Sequence, residues 1–175
     1  MTWEGLNPPY ATIVADPPWQ LPRPGITKVD ARKFYSTLDV DGICLLPVNE
    51  LAAPDAHLWL WAINSLMEEA YSVVRAWGFS PITLVTWCKP GPGVGHYLRN
   101  NTEHLILAGR GRPMTPTVKP LSTWYEWPRA QHSVKPGAAL DLVESVSLPP
   151  YVELFARQPR LGWDAWGYGY EVAAS

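Results

Sequence analysis

Tyr10-Ala11-Thr12-Ile13-Val14-Ala15 runs without a break into Asp16-Pro17-Pro18-Trp19. The first six residues form an apolar, β-branched run, the pattern of a strand covered on both faces and so central in a sheet. The next four end that strand in an acidic, rigid, aromatic loop. Two successive prolines fix φ and remove backbone donors, which holds the loop extended.

Downstream, the apolar segments alternate between strand and helix periods. Residues 41–46 suggest a short helix closed by Pro47. Ala56–Ala62 reads as a strand, and Ser65 with Glu68 three residues on has the spacing of a capping box opening a helix that runs to Trp77 and stops at Gly78. Ile82–Trp87 reads as another buried strand, giving a strand, helix, strand unit and hence a parallel α/β sheet. Residues 90–95 form a Pro- and Gly-rich loop. Glu103–Ala108 resumes a strand, followed by a Gly-Arg turn and an irregular segment through Trp127. A last helix begins near Pro136, suited to a first helical position, and ends before Pro149-Pro150. Tyr151–Phe155 and Trp163–Trp166 complete the strands.

With 175 residues, 47% hydrophobic and 17% charged, the chain suits one core better than two, so residues 1–175 are read as a single domain. A net charge of −2 argues against a protein that coats polyanions, because non-specific duplex binding needs many Lys or Arg contacts to phosphate. Local basic patches are nonetheless present. Arg23, Lys28, Arg32 and Lys33, with Tyr35, fall in the Gln20–Thr37 loop beside Asp16, and Arg99, Arg110, Arg112, Lys119 and Arg129 share one later stretch. Cys44 and Cys88 have no metal-ligand spacing and the four histidines form no pair, so neither a disulfide framework nor a metal site is expected. No targeting segment and no membrane-length apolar run is evident, which predicts a soluble, cytoplasmic protein without a membrane partner.

The Asp16 loop suits the chemistry of an exocyclic amine on a base. Such an amine is a poor nucleophile because its lone pair is delocalised into the ring. Asp16 can accept one N–H and the Pro17 carbonyl the other, which favours a pyramidal nitrogen with its lone pair released toward a sulfonium methyl donor. Trp19 can stack on the extruded base, worth about 1–3 kcal/mol. A second constellation lies at Val152-Glu153-Leu154-Phe155-Ala156-Arg157. A strand ending in a small residue, here Ala156, lets a ligand approach the backbone. Only about seven residues separate Phe155 from Trp163, too few for a crossover helix, so the loop itself is expected to bind. Arg157 and Gln158 can donate to ribose hydroxyls, while Lys135 or the Asn100-Asn101-Thr102 loop can hold the donor's carboxylate. Lys135 and Arg157 also suit ordinary helix-end and surface charges.

Taken in order, these motifs resemble those of the MT-A70 family of S-adenosylmethionine-dependent adenine N6-methyltransferases, especially its compact phage and bacterial members. The matching elements are Ile13–Trp19, Tyr35 with Leu45-Leu46-Pro47-Val48, Leu58-Trp59-Leu60-Trp61, Trp77-Gly78-Phe79, Trp87-Cys88-Lys89, Thr102-Glu103-His104-Leu105, His132-Ser133 with Lys135-Pro136, and Glu153–Arg157 with Gly162-Trp163. The resemblance implies an α/β, Rossmann-like methyltransferase fold with a mostly parallel sheet. It also implies a circularly permuted order, catalytic loop N-terminal and cofactor strand C-terminal. The catalytic residues it implies are Asp16, Pro17, Pro18 and Trp19. The donor site would comprise Ala15, Asp16, Asn101, Thr102, Ser133, Lys135, Glu153, Phe155, Ala156, Arg157 and Gln158. Nucleic acid would meet Arg23, Lys28, Arg32, Lys33, Tyr35, Arg110 and Arg112.

Three positions depart from the family pattern: Thr102 where eukaryotic members have lysine, Pro159-Arg160 in place of His-Asn, and Gly167-Tyr168-Gly169-Tyr170-Glu171 in place of Asn followed by Gln or Glu. Glu171 is a candidate substitute there. Asn7-Pro8-Pro9-Tyr10 spells the motif of other adenine and glutamine methylases, but no strand precedes it. The expected activity is methyl transfer from S-adenosylmethionine to adenine N6 in DNA, in a bacterial host cell if phage-encoded, by a homodimer or with a partner subunit. RNA as substrate and a non-catalytic nucleic-acid-binding subunit are the alternatives.

Overall fold

The Tyr10–Ala15 run forms β1, whose backbone is flanked on both sides. In the computed structural model it pairs in parallel with β2 (Ala52–Ala62), placing Ile13 opposite Leu58 and Ala15 opposite Leu60. It also pairs in parallel with β6 (Tyr151–Leu154), placing Ile13 opposite Val152 and Ala15 opposite Leu154. The structure describes residues 3–20, 38–91, 93, 97–116, 119–128 and 134–167. Arg23, Lys28, Arg32, Lys33, Tyr35, Ser133, Arg129 and Glu171 lie outside the described residues.

The remaining elements in chain order are α1 (Val40–Cys44), α2 (Met67–Ala76), β3 (Ser80–Cys88), β4 (Thr102–Arg110), β5 (Trp124–Tyr125), α3 (Gly137–Val146) and β7 (Trp163–Trp166). The sheet order is β5-β3-β4-β2-β1-β6-β7. All pairings are parallel except those of β4, which runs antiparallel to both β2 and β3. This is a mostly parallel α/β sheet of Rossmann-like character, as the resemblance implies. The β2-α2-β3 unit exists as expected, and its strands run the same way. They are not neighbours, however, because β4 folds back between them.

Each face of the sheet has its own apolar cover. Ile13, Ala15, Leu58, Leu60 and Ile106 pack with Ile43 of α1 and Ala70, Val73 and Val74 of α2. On the opposite face, Val14, Trp59, Trp61, Trp87, Leu105 and Leu107 pack with Ala139, Leu142 and Val143 of α3. Two-sided burial explains why β1 and β2 read as continuous apolar runs rather than alternating ones. A buried indole needs an acceptor for its N–H. Trp59 donates to the Ser147 hydroxyl, Trp77 to the Ile43 carbonyl and Trp87 to the Trp127 carbonyl, each at 2.9 Å.

Several boundaries differ from expectation, each for a local reason. No Ser65–Glu68 capping box forms: residues Asn64–Leu66 make a 3-10 turn and Leu66 precedes α2 without a side-chain cap. The Asn64 amide instead lies 3.0 Å from the Thr102 hydroxyl and 2.8 Å from His104 Nε2, so β4 decides the geometry there. Strand β2 starts at Ala52 despite Pro54, which falls in a bulge opposite β1 where no ladder donor is needed. Pro136 occupies the N-cap, one place ahead of the first helical residue. Strand β6 stops at Leu154 because Phe155 turns to φ 64°. The stretch expected to be irregular contains β5, which pairs in parallel with β3 through Thr86 and Trp124. Among the described residues no helix is long and apolar enough to cross a membrane.

Candidate active site

Strands β1, β2, β6 and β7 all end on one side of the sheet, and antiparallel β4 begins there. Crevices outside the carboxyl ends of parallel strands are where open α/β sheets bind ligands. A cleft of about 200 Å³ opens at this edge, lined by Asp16, Trp61, Lys135, Glu153, Phe155, Arg157, Gln158 and Arg160 among others. The carboxylate after β1 and the turn after β6 thus face one cavity, as the two sequence motifs require.

Alternating charges organise the cleft. Lys135, just ahead of α3, lies 2.7 Å from Asp16 Oδ2 and 3.4 Å from Glu103 Oε2, and its ammonium is 5.3 Å from the centre of the Trp61 ring. Lys89, at the end of β3, bonds the other Glu103 oxygen and stands over Trp87. The order across the edge is Asp16, Lys135, Glu103, Lys89. Burial opposes ionisation of Glu103, but Lys135 and Lys89 outweigh it and hold that carboxyl below its usual range. Burial also opposes the Lys135 charge, and Asp16 and Glu103 overcome it, raising its pKa. Among the described residues two of the three Lys135 donors have carboxylate partners, Asp16 and Glu103. Glu153 follows the opposite course: burial, then the neighbouring Asp16 charge, pushes its carboxyl up to about 7.

The Asp16 loop is braced from below. The Asp16 N–H donates to the Leu154 carbonyl at 3.3 Å, and the Leu38 N–H donates to the Pro18 carbonyl at 3.0 Å. The Pro17 carbonyl accepts the Trp19 N–H at 2.8 Å, so only its second lone pair is left for a substrate amine. Trp19 itself donates its indole N–H to the Trp61 carbonyl at 3.1 Å and packs against the core. That contact holds the half-buried ring by its edge and braces the loop against β2.

At the other wall, Phe155 adopts φ 64°, a conformation uncommon outside glycine. Its ring meets Trp166 edge-on at 5.5 Å. Ala156 is buried, and its N–H donates to the Trp166 carbonyl at 3.1 Å. A Cβ on Gly167 would stand 2.4 Å from the Ala156 carbonyl oxygen, so glycine is required where β7 ends against this turn.

Of the other expected donor contacts, Ala15 ends β1 within the core and is completely buried. Thr102 is directed away from the cleft. Strand alternation sends it with His104 to the α2 face, where it bonds Asn64, while Glu103 joins the α3 face with Leu105 and Leu107. The Asn101 carbonyl is used by the Lys89 N–H at 2.7 Å. Arg110 and Arg112 stand at the opposite end of β4, where Arg110 donates to the Asn49 carbonyl at 2.9 Å and the Arg112 N–H to Asp55 at 2.7 Å. The structure therefore does not bring them to the Asp16 cleft. Glu103, Lys89, Trp61 and Arg160 stood within the matching or departing motifs, but were given no site role from sequence. For Glu103 a signal existed: period-two alternation from Leu105 places it on the Trp61 face.

Known proteins align with this chain over most of its length. The family described as MT-A70 matches residues 10–169. The Type II methyltransferase M.MunI of a Mycoplasma species is 29% identical, covering 90% of this chain and 76% of that protein. The human N(6)-adenosine-methyltransferase catalytic subunit METTL3 is 26% identical, covering 59% of this chain and 18% of its own length. The N6-methyladenosine RNA methyltransferase MTA1 of Cryphonectria parasitica is 28% identical, covering 91% of this chain and 51% of that protein.

Proposed function

Because the chain belongs to the MT-A70 family of adenine N6-methyltransferases, we propose that it transfers the methyl group of S-adenosylmethionine to the N6 amine of adenine in DNA. The observation that carries this reading is the shared cleft: Asp16 and the Phe155–Gln158 turn line one cavity at the strand ends. DNA is favoured by the resemblance to the compact phage and bacterial members of the family, and the match to a Type II methyltransferase covers 90% of this chain. We extend the family's permuted order to this chain, with the catalytic loop after β1 and the donor strand at β6, and read the described residues, which share one sheet, as one domain.

The residues fit the donor. Its carboxylate, ammonium and ribose hydroxyls call for a cation, an anion and hydrogen-bonding groups converging on one cleft, and Lys135, Asp16, Glu153, Arg157 and Gln158 all line it. Lys135 would meet the carboxylate through its remaining donor, Asp16 or Glu153 the ammonium or a ribose hydroxyl, and Arg157 and Gln158 the ribose. When bound, the donor supplies an electrophilic methyl group on a cationic sulfur.

The protein's own contribution is orientation and charge. Asp16 accepts one N–H of the adenine amine and the second lone pair of the Pro17 carbonyl accepts the other, so the nitrogen lone pair is directed out of the ring plane. Lys135 keeps the Asp16 carboxylate in place, and Trp19 fixes the loop that carries it. Catalysis of this type is positioning and electrostatic preorganisation without a covalent enzyme intermediate.

The test is incubation with labelled donor and unmodified DNA, followed by nucleoside digestion. N6-methyladenosine in its deoxy form is expected from wild type, and a loss of at least about 100-fold from Asp16→Ala. No product from wild type, or undiminished product from Asp16→Ala, refutes the reading. RNA is the second reading, favoured by the matches to METTL3 and MTA1. Competition among single-stranded RNA, single-stranded DNA and duplex DNA separates the two.

A further inference from the structure

The connection between β3 and β4 carries two large side chains into solvent at the Asp16 end of the sheet. Tyr97 is 101% exposed and Leu98 82% exposed, and the next residue, Arg99, is exposed as well. Two adjacent apolar side chains lying open beside a cation suggest contact with something outside the chain.

The base of this connection is closed. The Lys89 N–H donates to the Asn101 carbonyl at 2.7 Å, and the Asn64 amide reaches Asn100 Oδ1 at 3.4 Å. Gly93 is packed so closely that a Cβ there would fall 1.6 Å from the Asn100 carbonyl oxygen. Tyr97 and Leu98 are therefore presented close to a fixed stem. That stem runs directly into Glu103, whose carboxylate holds Lys135 beside Asp16.

An adenine paired in a duplex keeps its N6 amine inside the helix, out of reach of any carboxylate, so it must be swung out before transfer. Extrusion leaves an unstacked gap. Proteins that distort DNA commonly offset such a loss by inserting apolar side chains between bases. We propose that Tyr97 and Leu98 form a wedge that enters the base stack of duplex DNA and fills the gap left by the target adenine, with Arg99 on the adjoining phosphate. This inference rests on the DNA reading above and adds to it the means of opening the duplex.

The test compares methyl incorporation into a plasmid duplex and into the same plasmid heat-denatured, so that sequence is held constant. The Tyr97→Ala/Leu98→Ala double variant should lower the duplex to single-strand rate ratio about tenfold or more relative to wild type. Met114→Ala is the control: Met114 is 72% exposed and follows Arg112 at the far end of the sheet, and the ratio should not change. Equal melting temperatures of the three proteins show that they fold alike. A double variant that keeps the wild-type ratio, or loses both rates equally, overturns the wedge. Wild type active only on denatured DNA overturns it too, while leaving the proposed activity standing. Wild type that methylates neither form overturns the underlying DNA reading and the wedge with it.

Discussion

Two carboxylates face the same cleft with opposite electrostatic histories. Asp16 has Lys135 at 2.7 Å. Glu153 has no partner at that distance among the described ion pairs, and burial with the Asp16 charge raises its pKa from 4.5 to about 7. Between those values the folded protein binds a proton that the unfolded chain has released. Glu153 therefore favours the fold fully below pH 4.5, and that contribution is lost as the pH rises through 7. Glu153→Gln should remove this dependence. Relative to wild type, its stability should improve between pH 5 and 8 by up to about 3 kcal/mol, the equivalent of the whole shift. Thermal unfolding followed across that range checks it, and parallel wild-type and variant profiles would show that the carboxyl is not held in this way. Sequence pattern could not expose this residue's state. A glutamate in a four-residue strand shows its type and not the depth of its burial or the charge beside it.

At the level of elements, the link between β6 and β7 shows what the chain can do without a helix. The two strands are parallel and only four residues each, so the eight residues 155–162 suffice to carry the chain back. That short link was legible in the sequence, as was the lack of room for a crossover helix within it. What holds the loop was not. Arg160 forks onto Glu144 of α3 with two contacts of 2.8 Å and reaches Asp141 at 2.6 Å, while Trp163 donates to Glu144 at 2.7 Å. These partners are 69% and 36% exposed for Asp141 and Glu144, so the pairs contribute at most about 1 kcal/mol to stability. Their larger effect is on where Arg157 and Gln158 lie. Arg160→Ala should lower the melting temperature slightly yet raise the donor KM about tenfold, with kcat changed much less, and Arg160→Lys should not restore it because the fork is lost. Initial rates at varied donor concentration decide. A fall in kcat at unchanged KM would place Arg160 in the chemical step instead. The Ser65–Glu68 spacing was misleading for a related reason: Asn64 is claimed by β4, and a tertiary contact overrides a local cap.

Across the whole molecule, the direction of β4 determines which charges belong together. Periodicity locates a strand but gives no sign for its direction relative to its neighbours, so Arg99, Arg110 and Arg112 read as one basic stretch. The length of β4 separates them, and its antiparallel direction decides which end meets the Asp16 cleft. Nine strand residues rising about 3.3 Å each put the two ends of β4 roughly 25 Å apart. Arg99 precedes the end that carries Glu103, whereas Arg110 and Arg112 flank the turn at Gly111, whose φ of 64° lets Asp55 close on the backbone. A nucleic acid seated at the Asp16 cleft should therefore feel Arg99 and not the other two. Arg99→Ala should weaken binding and reduce the slope of log affinity against log salt by about one. Arg110→Ala with Arg112→Ala should leave that slope unchanged and lower only the melting temperature, since Arg110 ties β4 to the Asn49 carbonyl at 2.9 Å. Affinity titrations at several salt concentrations measure both. Should the Arg110 and Arg112 pair reduce the slope as much as Arg99, the bound strand must continue around the sheet to its far end, and the binding surface would be the length of β4 rather than one edge of it.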